Sequence, residues 1–313
     1  MKAVRYHQHG PAELLRYEEA DRPVPGPGQV LVRVAGTTFN PVDAAIRAGY
    51  LQQAFPLAFP HVPGLDVSGT VEELGDGVTG LDVGDAVVGF LPMHTDGATA
   101  ELVLAPAEVL AAAPTSIPLA QAAALPTTGL SAWQSLVELA DLQPGQRLLV
   151  TGSGGAVGGY AVQLAHQTGA HVIAVTSPES AGAVREQGAD EVVDRTTTDL
   201  AAAVTDPVDV VLNLAPAPDP ATLLDLLRPG GVLVTTVPPA PDPGDRDVRT
   251  AALFVRSDRD QLSGLVAMVD AGRLSVPVAE TLPFSELASV HARSEAGGLR
   301  GKVVLTPQAG GAG

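Results

Sequence analysis

The chain has 313 residues, 45% of them hydrophobic, and carries 18 Lys and Arg against 35 Asp and Glu for a net charge of −17. That length holds two domains of the usual ~100–200 residues, each with a core of its own. Without a basic cluster, nucleic acid and anionic membrane surfaces are not expected partners, and the lack of any Cys excludes disulfides, thiol catalysis and a Cys-ligated zinc.

The start, Met1-Lys2-Ala3-Val4-Arg5-Tyr6, does not read as a signal peptide, and no run approaches the ~20 apolar residues of a membrane helix. The default expectation is therefore a cytoplasmic protein. The first third is rich in Gly, Pro and β-branched residues, and predicts strands at 29–36, 66–74, 86–90 and 100–104 separated by turn signals such as Pro25-Gly26-Pro27-Gly28. Helices are expected at 121–125 and 129–140. From 147 onward short apolar runs alternate with amphipathic stretches: strand 147–151, helix 155–168, strand 171–175, helix 178–187, strand 191–193, strand 208–213, helix 221–227 and strand 231–237. Repeated βα units predict a parallel, doubly wound sheet, with ligands beyond the carboxyl ends of its strands. The loops at 216–220 and 238–244 follow two such strands. Helices at 258–271 and 285–293, a strand at 302–305 and a frayed tail from 308 complete the expectation.

One segment points to chemistry. The strand ending Val150-Thr151 runs into Gly152-Ser153-Gly154-Gly155-Ala156-Val157-Gly158 just as a helix begins. Glycines let a backbone approach a diphosphate, and the helix N-terminus offers unpaired N–H groups and a positive dipole end. The spacing is Gly152-x-x-Gly155-x-x-Gly158; the strict G-x-G-x-x-G pattern would need glycine at Val157. NAD sites usually carry an acidic residue at the end of the second strand, ~20 residues further on. Here that strand ends Val175-Thr176-Ser177, with hydroxyls and no carboxylate, so NADPH is expected over NADH. Glu179 is negative and close by, and Arg195 or Arg185 would supply the compensating charge.

Several ordered segments together resemble the medium-chain dehydrogenase/reductase superfamily, in particular its zinc-independent quinone oxidoreductases, the zeta-crystallin-like family. They are Asn40-Pro41-Val42-Asp43 with Arg47-Ala48-Gly49-Tyr50, Pro63-Gly64-Leu65-Asp66-Val67-Ser68-Gly69, Val83-Gly84-Asp85, Asp96-Gly97-Ala98-Thr99-Ala100-Glu101, the glycine turn, Leu227-Arg228-Pro229-Gly230-Gly231 and Gly301-Lys302-Val303-Val304-Leu305. The resemblance implies an α/β protein: a GroES-like β-rich domain over 1–120, completed by 273–313, and a Rossmann NADPH-binding domain over 121–272. It also implies NADPH in the cleft between them and a homodimer. Zinc-dependent relatives place a Cys early and a His-Glu pair after the next strand. Here those places hold Thr37-Thr38-Phe39-Asn40 and Gly64-Leu65-Asp66, so no metal is expected, and the spacing of His61, Asp66 and His94 matches no familiar site.

Hydride transfer to a quinone or an α,β-unsaturated carbonyl builds negative charge on oxygen, which needs donors and a proton. Asn40, Asp43 and Tyr50 are the candidates, set against plainer readings as a turn Asn before Pro, a helix N-terminal acid and a packed aromatic. Thr127 matches the family residue that contacts the nicotinamide, or is a helix cap. Asn213 ends the fourth strand within reach of a cofactor ribose. Lys302 touches the cofactor or makes a structural ion pair. The implied activity is NADPH-dependent reduction of a small quinone or enone. The alternatives are an enoyl-thioester (polyketide-type) reductase and a non-catalytic, crystallin-like NADPH-binding protein.

Overall fold

Ten residues, Gln29–Thr38, with Val at 30, 32 and 34, form the longest strand of the first of two units. The computed structural model describes residues 1–216 and 220–308; the middle of the 216–220 loop, and all but the first residue of the expected tail, lie outside them. The chain divides into one unit made of Met1–Thr127 with the chain from Arg256 on, and a second of Thr128–Val255.

In the first unit β1 (Lys2–Arg5) and β2 (Arg16–Glu19) pair antiparallel as a ribbon. Then come β3 (Gln29–Thr38), α1 (Pro41–Ala48), β4 (Asp66–Leu74), β5 (Ala86–Phe90), β6 (Leu102–Pro106), β7 (Leu110–Ala112), α2 (Leu119–Ala122) and the start of α3 (Pro126–Trp133). β3 pairs antiparallel with both β4 and β6, and its inward Val30, Val32 and Val34 pack with Val67, Val71, Val87 and Leu110 as the two-residue period of a half-buried sheet demands. A Cβ at Gly36 would lie 2.5 Å from the Ala120 carbonyl, so glycine lets α2 rest directly on β3.

The second unit contains β8 (Arg147–Thr151), α4 (Ala156–Thr168), β9 (His171–Thr176), α5 (Ala181–Glu186), β10 (Glu191–Asp194), α6 (Leu200–Ala203), β11 (Val208–Asn213), β12 (Leu227–Thr235) and β13 (Val248–Ala252). Its six strands are parallel in the order β10-β9-β8-β11-β12-β13, the strand order of the doubly wound dinucleotide-binding fold. All six residues of β11 are buried, as expected for a strand covered on both faces. The core gathers Leu149, Ile173, Val211, Leu223 and Leu233.

The chain then returns to the first unit with α7 (Arg259–Asp270), β14 (Glu280–Pro283), α8 (Leu287–Glu295) and β15 (Val303–Thr306). β15 closes the large sheet against the end of β3, pairing Leu305 with Thr37 and Val304 with Thr38.

Several elements differ from expectation. The helix at 129–140 begins earlier, at Pro126, and finishes in π-type turns over Gln134–Leu139. The helix at 221–227 is a 3-10 segment, Pro220–Leu226, because β12 starts at Leu227. α7 belongs with the first unit and not with the Rossmann unit where the 121–272 boundary put it: the Asp270 carboxylate accepts the backbone N–H groups of Thr115 and Ser116 at 2.8 and 2.9 Å.

Candidate active site

In the second unit Gly152, at φ +66, turns the chain out of β8 toward α4. Gly155 is the N-cap and lends no side chain to the first turn of this 13-residue helix. The amides of Ala156, Val157 and Gly158 therefore have no carbonyl of their own helix to reach, at the positive end of its dipole. Space requires the glycines. A Cβ on Gly158 would lie 2.5 Å from Ser153 Cα, and one on Gly154 would lie 2.5 Å from Thr176 Oγ1 and 2.7 Å from Ser180 Oγ. Ser180, which sequence reading did not single out, thus stands with Thr176 against the turn; a hydroxyl just past the second strand was its only signal.

Thr176 is buried, Ser177 half-buried, and Arg195 reaches the same strand end through its backbone N–H to Thr176 O at 2.9 Å, its side chain exposed. Arg185 instead turns back on its own helix, Nη1 to Ala181 O at 3.4 Å. Asn213 is 2% exposed and braces three strand ends: Thr151 Oγ1 donates to its Oδ1 at 2.7 Å, and its Nδ2 donates to Thr235 Oγ1 at 3.1 Å. This brace lies where the strand order reverses, the position at which such sheets bind ligands. A cradle with no room for a Cβ at 154 or 158, bare helix amides and hydroxyls at the second strand end suit a dinucleotide diphosphate.

The first unit holds a buried polar cluster. Asp66 opens β4 at 0% exposure. Its Oδ1 accepts the Thr127 backbone N–H at 2.7 Å, and its Oδ2 accepts Asn40 Nδ2 at 2.9 Å, Lys302 Nζ at 3.3 Å and the Thr38 hydroxyl. Lys302 Nζ also donates to Asn40 Oδ1 at 2.6 Å. The carboxylates of Asp66 and Asp43 hold the Lys302 proton in place, while burial, the largest influence, draws its pKa below the ordinary lysine value.

Asp43 sits in the first turn of α1, where its Oδ2 accepts the Asn40 backbone N–H at 2.7 Å. Burial pushes its carboxyl up to about 7, reinforced by the Asp66 charge and opposed by that hydrogen bond. Asp43, Tyr6 and His61 line a small cavity, about 10 Å³ of which admits the centre of a water molecule, room for about one water. Tyr50 lies in the turn after α1 and is 84% exposed, outside the cluster. The structure thus brings Asn40, Thr127 and Lys302 together around Asp66. Sequence reading weighed Asp66 as a metal ligand and as part of the 63–69 segment; an acid that opens a strand directly before Val67 was the only signal that it is a buried, paired charge.

Residues 26–115 match the alcohol dehydrogenase GroES-like domain and residues 187–305 the zinc-binding dehydrogenase domain. A chloroplast envelope quinone oxidoreductase homolog of Arabidopsis thaliana is 31% identical, with 98% of each chain covered. The chain belongs to the quinone oxidoreductase-like branch of the medium-chain dehydrogenase/reductase family. The NADPH-dependent alkenal/one oxidoreductase of Arabidopsis thaliana chloroplasts is 33% identical, covering 98% of this chain and 80% of its own. The solved quinone oxidoreductase of Coxiella burnetii is 27% identical at a TM-score of 0.89, covering 98% of this chain and 99% of that one. Members of this oxidoreductase family share the GroES-like and Rossmann-like pair of folds described above.

One matching domain is named for zinc, and the residues of this quinone oxidoreductase-like chain do not fit that metal. At the corresponding places stand Asn40 and Asp66; Asp66 already accepts four donors, and the Lys302 ammonium lies among them. A dication there would face an ammonium and no thiolate or free imidazole. His61 lies 3.4 Å from Asp96, burial holding its pKa low, and His94 is exposed. Among the described residues no group of three or more His, Cys, Asp or Glu is placed to hold a metal, and no helix is long and apolar enough to cross a membrane.

Proposed function

We propose that the protein is a zinc-independent, NADPH-dependent reductase that delivers hydride to a small quinone or α,β-unsaturated carbonyl. The observation that carries this reading is the turn at 152–158, with Thr176 and Ser177 at the adjoining strand end and Ser180 packed against the turn beside Glu179. Helix amides there grip a diphosphate, and Arg195 with the hydroxyls receives a 2′-phosphate. The names of the two Arabidopsis relatives, one a quinone oxidoreductase homolog and one an NADPH-dependent alkenal/one oxidoreductase, support the same substrate classes.

When bound, the reduced nicotinamide supplies the hydride. Asn40, its amide held at both ends, keeps one N–H on Nδ2 to direct at an oxygen gaining charge. The exposed Tyr50 hydroxyl is a second donor. Burial raises the Asp43 carboxyl to about 7, into the range where a group takes up and gives back a proton near neutral pH. Lys302 acts from its ion pair with Asp66.

Fluorescence titration with NADPH and NADH, followed by NADPH consumption with a small quinone and a small enone, tests the reading. Tighter NADPH binding and turnover of either acceptor are expected; no consumption across a broad carbonyl panel would overturn it. The homodimer that accompanies this reading is checked by analytical ultracentrifugation.

A further inference from the structure

We infer that Asp66 is a positioning residue, which with Lys302 as its resident counter-cation sets the direction of the Asn40 amide and the start of α3. The functional half of this inference rests on the reductase reading.

Four donors converge on one carboxylate from four elements: the end of β3 (Thr38), the residue before α1 (Asn40), the start of α3 (Thr127) and the residue before β15 (Lys302). Stability alone does not call for this arrangement. Burying an ion pair gives back much of its attraction as desolvation, and apolar replacements of similar volume are often neutral or better. An apolar pair cannot orient an amide. The terminal torsion of Asn is broad and roughly two-fold, so packing alone leaves the oxygen and nitrogen interchangeable. Here Nδ2 faces the Asp66 carboxylate and Oδ1 faces the Lys302 ammonium. The flipped amide would set oxygen against carboxylate and N–H against ammonium, so the charges admit only one orientation. That orientation decides where the remaining Asn40 N–H points. The same carboxylate takes the Thr127 N–H in the first turn of α3, and so ties the α3 start to β4.

The pair of roles, orientation and charge balance, can be separated. Asp66→Asn removes the charge; the exchange Asn40→Asp with Asp66→Asn returns one carboxylate and one amide to the cluster; Asp66→Leu with Lys302→Met removes both charges. If Asp66 positions, the two double variants regain the melting temperature that Asp66→Asn loses. Both would still turn over at least about tenfold more slowly at saturating NADPH and acceptor, with the Kd for NADPH within about twofold of wild type. Turnover regained together with stability in either double variant overturns the inference, because Asp66 then only balances Lys302.

Hydrogen exchange of the Thr127 amide is the readout independent of turnover. Exchange at least about tenfold faster in the apolar pair, under conditions where that variant is folded, is expected, and unchanged exchange overturns the anchoring of α3. Should the wild-type protein consume NADPH with none of the acceptors offered, the reductase reading fails by itself, and Thr127 exchange still decides whether Asp66 anchors.

Discussion

Lys302 Nζ lies 2.6 Å from Asn40 Oδ1 although 262 residues separate them in the chain. Strand β15 thereby delivers a cation to a loop formed at the opposite end of the sequence. Replacing Lys302 by Met would leave the Asp66 charge buried without its counter-ion, for an expected loss of about 3–5 kcal/mol. Urea denaturation measures it, and an unchanged midpoint would show that the pair contributes nothing to folding.

The glycine turn makes a sharper prediction. Gly158→Ala forces a Cβ to 2.5 Å from backbone atoms of Ser153, and overpacking of this kind costs about 1–3 kcal/mol. Gly154→Ala meets the side chains of Thr176 and Ser180 instead. It is expected to weaken NADPH binding about tenfold or more while lowering the melting temperature less than Gly158→Ala. Equal effects of the two substitutions on binding and on stability would contradict the assigned roles.

Arg195→Ala separates NADPH from NADH. Loss of one charge-assisted contact corresponds to about 1.5–3 kcal/mol, roughly tenfold or more in Kd. NADPH affinity is expected to fall by that factor and NADH affinity to stay constant. Parallel losses for both coenzymes would remove Arg195 from 2′-phosphate recognition.

The buried titratable groups pull the pH dependence of stability in opposite directions. Asp43 has its carboxyl raised by burial from the ordinary 3.8 to about 7. Between those values the folded state holds a proton the unfolded state has released, so this group makes stability fall as pH rises. His291, buried beside Arg47, is lowered from 6.5 to about 3, and His61 is lowered too. Below 6.5 the unfolded state binds protons these imidazoles refuse in the folded state, so stability falls as pH drops. Two histidines against one aspartate leave a net rise of order 1.4 kcal/mol per pH unit from about pH 5 to 6.5 and a decline from there to about 7. His291→Phe is expected to flatten the acid limb, and Asn at position 43 to remove the decline. Denaturation midpoints across that range are the check; an acid limb unaltered in His291→Phe would count against it.

The Tyr50 side chain is 84% exposed. Tyr50→Phe is expected to leave the melting temperature unchanged and to lower kcat by about tenfold or less, because water competes with so exposed a donor. An unaltered kcat would remove the hydroxyl from the chemistry.

Where local pattern carried the information, sequence reading reached the structure. Strand β3 was legible because its valines recur every second residue, and β5, β8 and β11 because they are short, mostly apolar runs. The glycine turn was legible because strand, glycines and helix are adjacent in the chain. β1, β2 and β14 were not, being short, half-exposed and polar, with no period to read. The helix at 221–227 was misjudged because its apolar residues suit a 3-10 turn as well, and only the pairing of β12 with β11 decides where the strand begins.

What the amino-acid order determined by itself is the two-part α/β plan and the glycine turn between a strand and a helix, since both follow from propensity and spacing over a few residues. What only the tertiary structure decided is the cluster around Asp66. Its donors come from 26, 28, 61 and 236 residues away, and no local rule tells a strand-opening aspartate whether it will meet water or an ammonium. That choice depends on where β15 closes the sheet, because burial turns an isolated carboxylate into a liability and a paired one into an anchor.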